Sequence, residues 1–148
     1  MQELASVLAC GGSTVVPARA GPSPNPGPGR RSFMAHTSKT NEPNQGLRRH
    51  KLMPEQVRRA LPPLYATENI PIDDKIVSLK LFCPYNGWEW YIVEFDDSDI
   101  LFGYVKGAES EWGYFSLNEL ARLTVLGCLP AVERECRFKP RRFSDIVA

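Results

Sequence analysis

From residue 76 to residue 116 apolar and polar positions alternate in a way that predicts strands. In "IVSLKLFCP" Val77, Leu79 and Leu81 alternate with Ser78 and Lys80, the pattern of a half-exposed strand, which Pro84 ends. Asn86–Gly87 follows, a dipeptide that tolerates the positive φ of a type I′ hairpin turn, and "WEWYIVEF" returns the chain. A tip at Asp97–Ser98 would set Phe95 opposite Ile100, Val93 opposite Phe102 and Tyr91 opposite Tyr104, one continuous apolar face. Glu94 then falls on the opposite face, beside Leu101. A further turn at "KGAE" pairs Val105 with Ser110, placing Gly103 between Ile92 and Trp112. In that register Trp90, Ile92, Leu101, Val105, Trp112 and Tyr114 share the second face.

Two helices flank these strands. "MPEQVRRALPPLY" has Pro54 at the first helical position, Glu55 at the positive end of the dipole and Pro62–Pro63 as a stop. Val57, Ala60, Leu61 and Leu64 share one side, leaving Arg58 and Arg59 to solvent. "SLNELARL" opens with a capping box, Ser116 and Glu119, and carries a stripe of Leu117, Leu120 and Leu123. That helix is expected to cover one sheet face, and the first helix or a partner the other. "VERECRFKPRRFSDI" alternates and is basic, so it predicts an edge strand up to Phe138, guarded by its charges. The fold class is α+β: a small antiparallel sheet of three to five strands in a hairpin meander, with two short helices packed on it.

Ahead of this domain (residues 47–148) the chain changes character. "PARAGPSPNPGPGRRS" is too rich in Pro, Gly and Ser to bury a core, which predicts a disordered tail over residues 1–46. The opening "MQELASVLACGG" fails as a signal peptide, because Glu3 replaces the basic start and the apolar run is short. Met34 as the true start would remove most of the leader. Residues 1–53 hold seven Lys or Arg against two acids, whereas residues 66–120 hold three bases against eleven acids. The net charge of +1 therefore hides a basic tail on an acidic middle. The four cysteines show no C-x-x-C spacing, and a reducing cytoplasm is the expected location. His36 and His50 both precede the first expected helix and the strands, so no imidazole is expected to serve a triad there.

Glu94, Asp96, Asp97 and Asp99 raise the question of a metal site. Split between a turn and one strand position they do not converge, as Mg²⁺ carboxylates must, and Asp in a turn readily caps its own backbone. The turn is the favoured reading. A metal-dependent nuclease or phosphoesterase using Glu89, Glu94, Asp96 and Lys106 is one alternative, with acids and a lysine on adjacent strands. Another is an inhibitor whose acidic middle mimics DNA. The basic end, with Phe138 and Phe143 among its charges, suits phosphate neutralisation and base stacking, against the plainer reading of a solvated face.

"LPPLYATE" and "GYFSLNEL", with "VSLKLFCPYNGWEWYIVEFD" between them and "LGCLPAVERECRFKP" after, closely resemble the bacterial domain-of-unknown-function family 2958 from about Leu52 onward. The family usually has Thr before the helix Pro; Met53 stands there, which implies a weakened N-cap. The resemblance implies a bacterial protein of plasmids, phages and other mobile elements, and carries over no catalytic residue, cofactor or ligand. The expected function is that of a non-catalytic accessory or binding protein, linked to mobile-element DNA metabolism, with no cofactor and no membrane. An unknown protein is the expected partner, with nucleic acid as a second through the basic end. Trp90, Trp112, Tyr114, Arg137, Lys139, Arg141 and Arg142 are the partner-binding candidates.

Overall fold

The computed structural model describes Val16–Pro17 and residues 42–148. The rest of the expected tail lies outside the described residues. The strands are β1 (Val16–Pro17), β2 (Ile76–Val77), β3 (Leu79–Phe82), β4 (Glu89–Phe95), β5 (Ile100–Lys106) and β6 (Ser110–Ser116). After them come β7 (Thr124–Val125), β8 (Leu129–Pro130), β9 (Glu133–Arg134) and β10 (Arg141–Arg142). Three short α-helices are α1 (Glu55–Ala60), α2 (Leu117–Arg122) and α3 (Ser144–Val147).

Strands β3 to β6 form the antiparallel meander that the alternation predicts, with β9 added beside β3 and β1 along β6. The fold is α+β with an antiparallel sheet and short helices. The first hairpin is longer than its Asn-Gly dipeptide suggests. Cys83 N–H donates to Trp88 O at 2.8 Å and only Gly87 has a positive φ, so four residues make the loop instead of a two-residue type I′ turn.

The register departs from expectation at one place in β4. Tyr91 faces Tyr104 and Ile92 faces Gly103, as expected, but Glu94 then faces Phe102 and Phe95 faces Leu101. Val93 is the extra residue of a β-bulge. It turns Phe95 into the main core and Glu94 toward the other face, opposite to the regular alternation. The next hairpin is also one residue out: Lys106, not Val105, pairs with Ser110, so Gly103 faces Gly113 and Tyr104 faces Trp112. Trp112 and Tyr114 therefore do not share a face with Trp90. Close approach of β4 explains Gly103, since a Cβ there would lie 2.0 Å from the Tyr91 carbonyl oxygen.

The main core lies on the face of Trp90, Ile92, Leu101, Val105 and Phe115. Both α1 and α2 contribute to it, through Val57 and through Leu117, Leu120 and Ala121, so the first helix does not cover the second face. The capping box forms as expected, Ser116 Oγ accepting the Glu119 N–H at 3.1 Å. Ala60 is exposed and Arg58 is half-buried, its Nε 2.6 Å from Asp97 Oδ1, so neither lies where a simple helical wheel sets it.

Packing begins before α1. The Glu42 carboxylate, itself buried, accepts Leu52 N–H at 2.9 Å and Met53 N–H at 2.8 Å. Arg48 Nη2 donates to Ala121 O at 2.8 Å and Nε to Val132 O at 3.1 Å, which ties this segment to the end of α2. Met53 is not an N-cap: Pro54 holds that position and Met53 is a core side chain, 5% exposed. His50, expected to precede the packed elements, is packed against them. Its Nε2 accepts Arg134 N–H at 3.1 Å and lies 3.1 Å from Glu133 Oε2. No helix among the described residues is long and apolar enough to cross a membrane.

Candidate functional site: the aromatic face of the sheet

The second face of the sheet carries rings. Antiparallel pairing places Tyr91 beside Tyr104, Tyr104 beside Trp112, and Phe102 beside Tyr114. Their centroids form a chain: Tyr114 to Phe102 at 5.0 Å, Phe102 to Trp112 at 5.6 Å and Trp112 to Tyr104 at 5.7 Å. Tilted rings at such separations attract through their quadrupoles as well as by burial. Phe143, buried at the start of α3, packs edge-on against both Tyr104 and Trp112 at 4.8 Å and closes one end of the face. At the other end Tyr65 stacks on Tyr114 at 6.0 Å and is itself 65% exposed. Phe102, Tyr104, Trp112 and Tyr114 remain half-buried between these two ends.

Tyr65 is held in an unusual conformation. Its φ is 69°, in the left-handed region that bulky side chains seldom occupy. Glu94 holds it there by accepting the Tyr65 N–H at 2.7 Å, the Thr67 N–H at 2.7 Å and the Thr67 hydroxyl. Lys75, also buried, donates from Nζ to the carbonyl and hydroxyl oxygens of Thr67. Burial pushes the Lys75 ammonium below its ordinary value, offset in part by Glu94 and Glu68. Burial, then contact with Tyr65, then the charges of Glu94 and Glu68 push the Tyr114 hydroxyl up to about 12. The corner formed by Tyr65 and Tyr114 is thus aromatic, with Glu68 and the Glu94–Thr67–Lys75 cluster beside it.

At the end of the face near Tyr91, Glu89 is shared between Lys80, Lys106 and the Tyr91 hydroxyl. Burial opposes ionisation of Glu89, but the Lys80 and Tyr91 hydrogen bonds outweigh it and keep the carboxyl low. The four acids of the β4–β5 hairpin each have a separate task. Glu94 holds the Tyr65 loop; Asp96 accepts the N–H groups of Ser98, Asp99 and Ile100; Asp97 pairs with Arg58. Asp99 caps α2, accepting from Ser116 Oγ at 2.6 Å and Asn118 N–H at 2.7 Å. Among the described residues no three His, Cys, Asp or Glu side chains gather where they could hold a metal ion.

The seven candidates named from the sequence separate. Trp112 and Tyr114 lie together on the aromatic face, but Trp90 is 2% exposed in the main core and offers no surface to a partner. Arg137, Lys139, Arg141 and Arg142 are exposed, on the segment that leads into Phe143. Of the aromatics expected to stack on bases, Phe143 is buried and Phe138 lies under the Arg141 guanidinium at 5.1 Å. Tyr65, Phe102 and Tyr104 are not among the seven, and the sequence presents Glu94 only as a candidate metal-binding or catalytic acid. The available signal was Glu94 itself, an acid inside an apolar run that had to find donors. A separate cleft of about 310 Å³ is lined by Arg48, Arg49, His50, Tyr85 and Glu133 among others, with His50 held by Arg134 and Glu133.

Comparison with curated proteins gave no match, and comparison with solved structures gave none. The family model of DUF2958, described as a protein of unknown function, matches residues 52–146, which take in the meander, both main-core helices and the aromatic face; the chain belongs to that family.

Proposed function

We propose that this is a non-catalytic accessory or binding protein that engages a protein partner through the aromatic face of β5 and β6. One observation carries the reading: a connected run of half-buried rings ends in Tyr65, exposed and fixed in a left-handed backbone by a buried carboxylate. Exposed, pre-ordered aromatic groups are what binding hot spots are made of, and strain retained at a surface points to use there. Of the acids named for a metal-dependent nuclease, Glu94 holds the Tyr65 loop, Asp96 the β4–β5 turn, and Glu89 pairs with Lys80 and Lys106. A cytoplasmic location, in the mobile-element setting that the family resemblance implies, suits such an accessory.

The exposed Arg137, Lys139, Arg141 and Arg142 favour a second reading, contact with nucleic-acid phosphates. Capture from an extract of the native host separates the two. With Tyr65→Ala the partner protein is expected to be lost while the denaturation midpoint stays near that of the parent. Undiminished capture by Tyr65→Ala, with loss only in Arg141→Glu/Arg142→Glu and in high salt, would overturn the protein-partner reading in favour of nucleic acid.

A further inference from the structure

The two edges of the sheet are unequal. At one, β9 contributes two charged residues, Glu133 and Arg134, a short guarded edge of the usual kind. At the other, β6 runs for seven residues, and among the described residues β1 pairs with its Gly113 and Tyr114. Pro17, one of the two residues in that pairing, has no N–H to give. The cover among the described residues is two residues long and one of them gives no N–H, while a strand ladder along β6 can offer hydrogen-bonding groups at every second residue.

The chemistry along this edge has one sign. From Gly107 to Glu119 the chain carries Glu109, Glu111 and Glu119 and no base. A residue paired with Tyr114 on an added strand projects its side chain to the same face as Tyr114, about 5 Å away. There it lies against the Tyr114 and Tyr65 rings, with the Glu68 charge nearby. Ring faces backed by carboxylates attract a cation more than an anion or a neutral group.

We propose that the outer edge of β6 is a strand-addition site for an extended, basic segment of a partner protein, with a Lys or Arg side chain seated against Tyr65 and Tyr114. Among the described residues Val16–Pro17 is the chain's own occupant of the same position. The inference rests on the reading of the aromatic face as the partner surface, and adds to it where the partner enters and what charge it brings.

The test uses the full chain, as wild type and as Val16→Pro, which leaves the two paired residues of β1 without any N–H donor. The probes are the synthetic peptides acetyl-Thr-Val-Lys-Val-Thr-amide and its Glu counterpart. The Lys peptide is expected to slow hydrogen exchange across residues 110–116 and to bind about tenfold more tightly than the Glu peptide. Val16→Pro is expected to strengthen that binding, and Tyr114→Ala to remove the preference for Lys. The wild-type chain at higher peptide concentration shows the same contrast if Val16→Pro proves unstable. Equal binding of the two peptides, or protection outside residues 110–116, would overturn the proposal. So would dimerisation of Val16→Pro through this edge, which would make a second copy the occupant. If host capture still depends on Tyr65 while neither peptide protects β6, the partner surface stands and the strand-addition site falls.

Discussion

Glu94, at the centre of the sheet, accepts the backbone N–H of Thr67 at 2.7 Å from a loop 27 residues earlier in the chain. Thr67 in turn receives the buried Lys75 ammonium, so one threonine joins the two opposite charges. Glu94→Ala removes three hydrogen bonds and leaves Lys75 buried without its countercharge. The expected cost is about 3–5 kcal/mol in urea denaturation, whereas Glu94→Gln, which keeps the shape and an acceptor, costs less.

Gly103→Ala tests the close approach of β4 to β5. The added methyl meets the Tyr91 carbonyl oxygen at 2.0 Å and its carbon at 2.9 Å, both backbone atoms that cannot swing aside. A loss of about 3 kcal/mol is expected in chemical denaturation. An unchanged midpoint would show that the two strands are further apart than described.

Met53 supplies a reversal of sign. As an N-cap site it would gain from threonine, but Met53 is 5% exposed and its N–H is already held by Glu42. Met53→Thr is expected to destabilise by about 1–3 kcal/mol through lost burial. Glu42→Ala, which leaves the Leu52 and Met53 N–H groups without their acceptor, is expected to cost about 1–3 kcal/mol for each. Thermal melts of the two variants check both.

Asp96 sets part of the acid sensitivity. Burial pushes its carboxyl up, but hydrogen bonds from the Ser98 hydroxyl and from the N–H groups of Ser98, Asp99 and Ile100 outweigh burial and hold it below the ordinary value. Its contribution to stability is fully present above the unfolded value of about 3.9 and is lost as pH falls through the depressed folded value. Below about pH 4 the melting temperature of the wild type should therefore fall more steeply than that of Asp96→Asn.

The meander was legible because strand alternation has a short, strong period: Tyr91 with Tyr104 and Ile92 with Gly103 could be paired from residue order alone. The capping box of Ser116 and Glu119 was legible because it is local. Beyond Ile92 the reading lost phase, since alternation cannot count a residue that has no partner. The same one-residue uncertainty in the turn before Ser110 carried Trp112 to the wrong face. Tyr65 was out of reach for a different reason. Nothing within several residues of it explains a left-handed tyrosine; the cause is Glu94, brought near only by the folded sheet. His50 was missed because it lies ahead of the first predicted helix, and the segment that holds it binds through Glu42 and Arg48 to backbone distant in the chain.

The extra residue at Val93 gives β4 a place where chain length and side-chain direction come apart. Before it, even-numbered residues such as Trp90 and Ile92 enter the main core; after it, the odd-numbered Phe95 does. Removing Val93 alone would leave each remaining side chain of β4 on the side it now occupies, with Glu94 still turned toward Tyr65. Removing Ile92 would instead send Val93 across the sheet. A central strand ordinarily admits no change in length, because one residue more or less reverses everything downstream. In this strand the count can change by one at a single point without inverting parity, and that point lies beside the carboxylate that holds the exposed tyrosine.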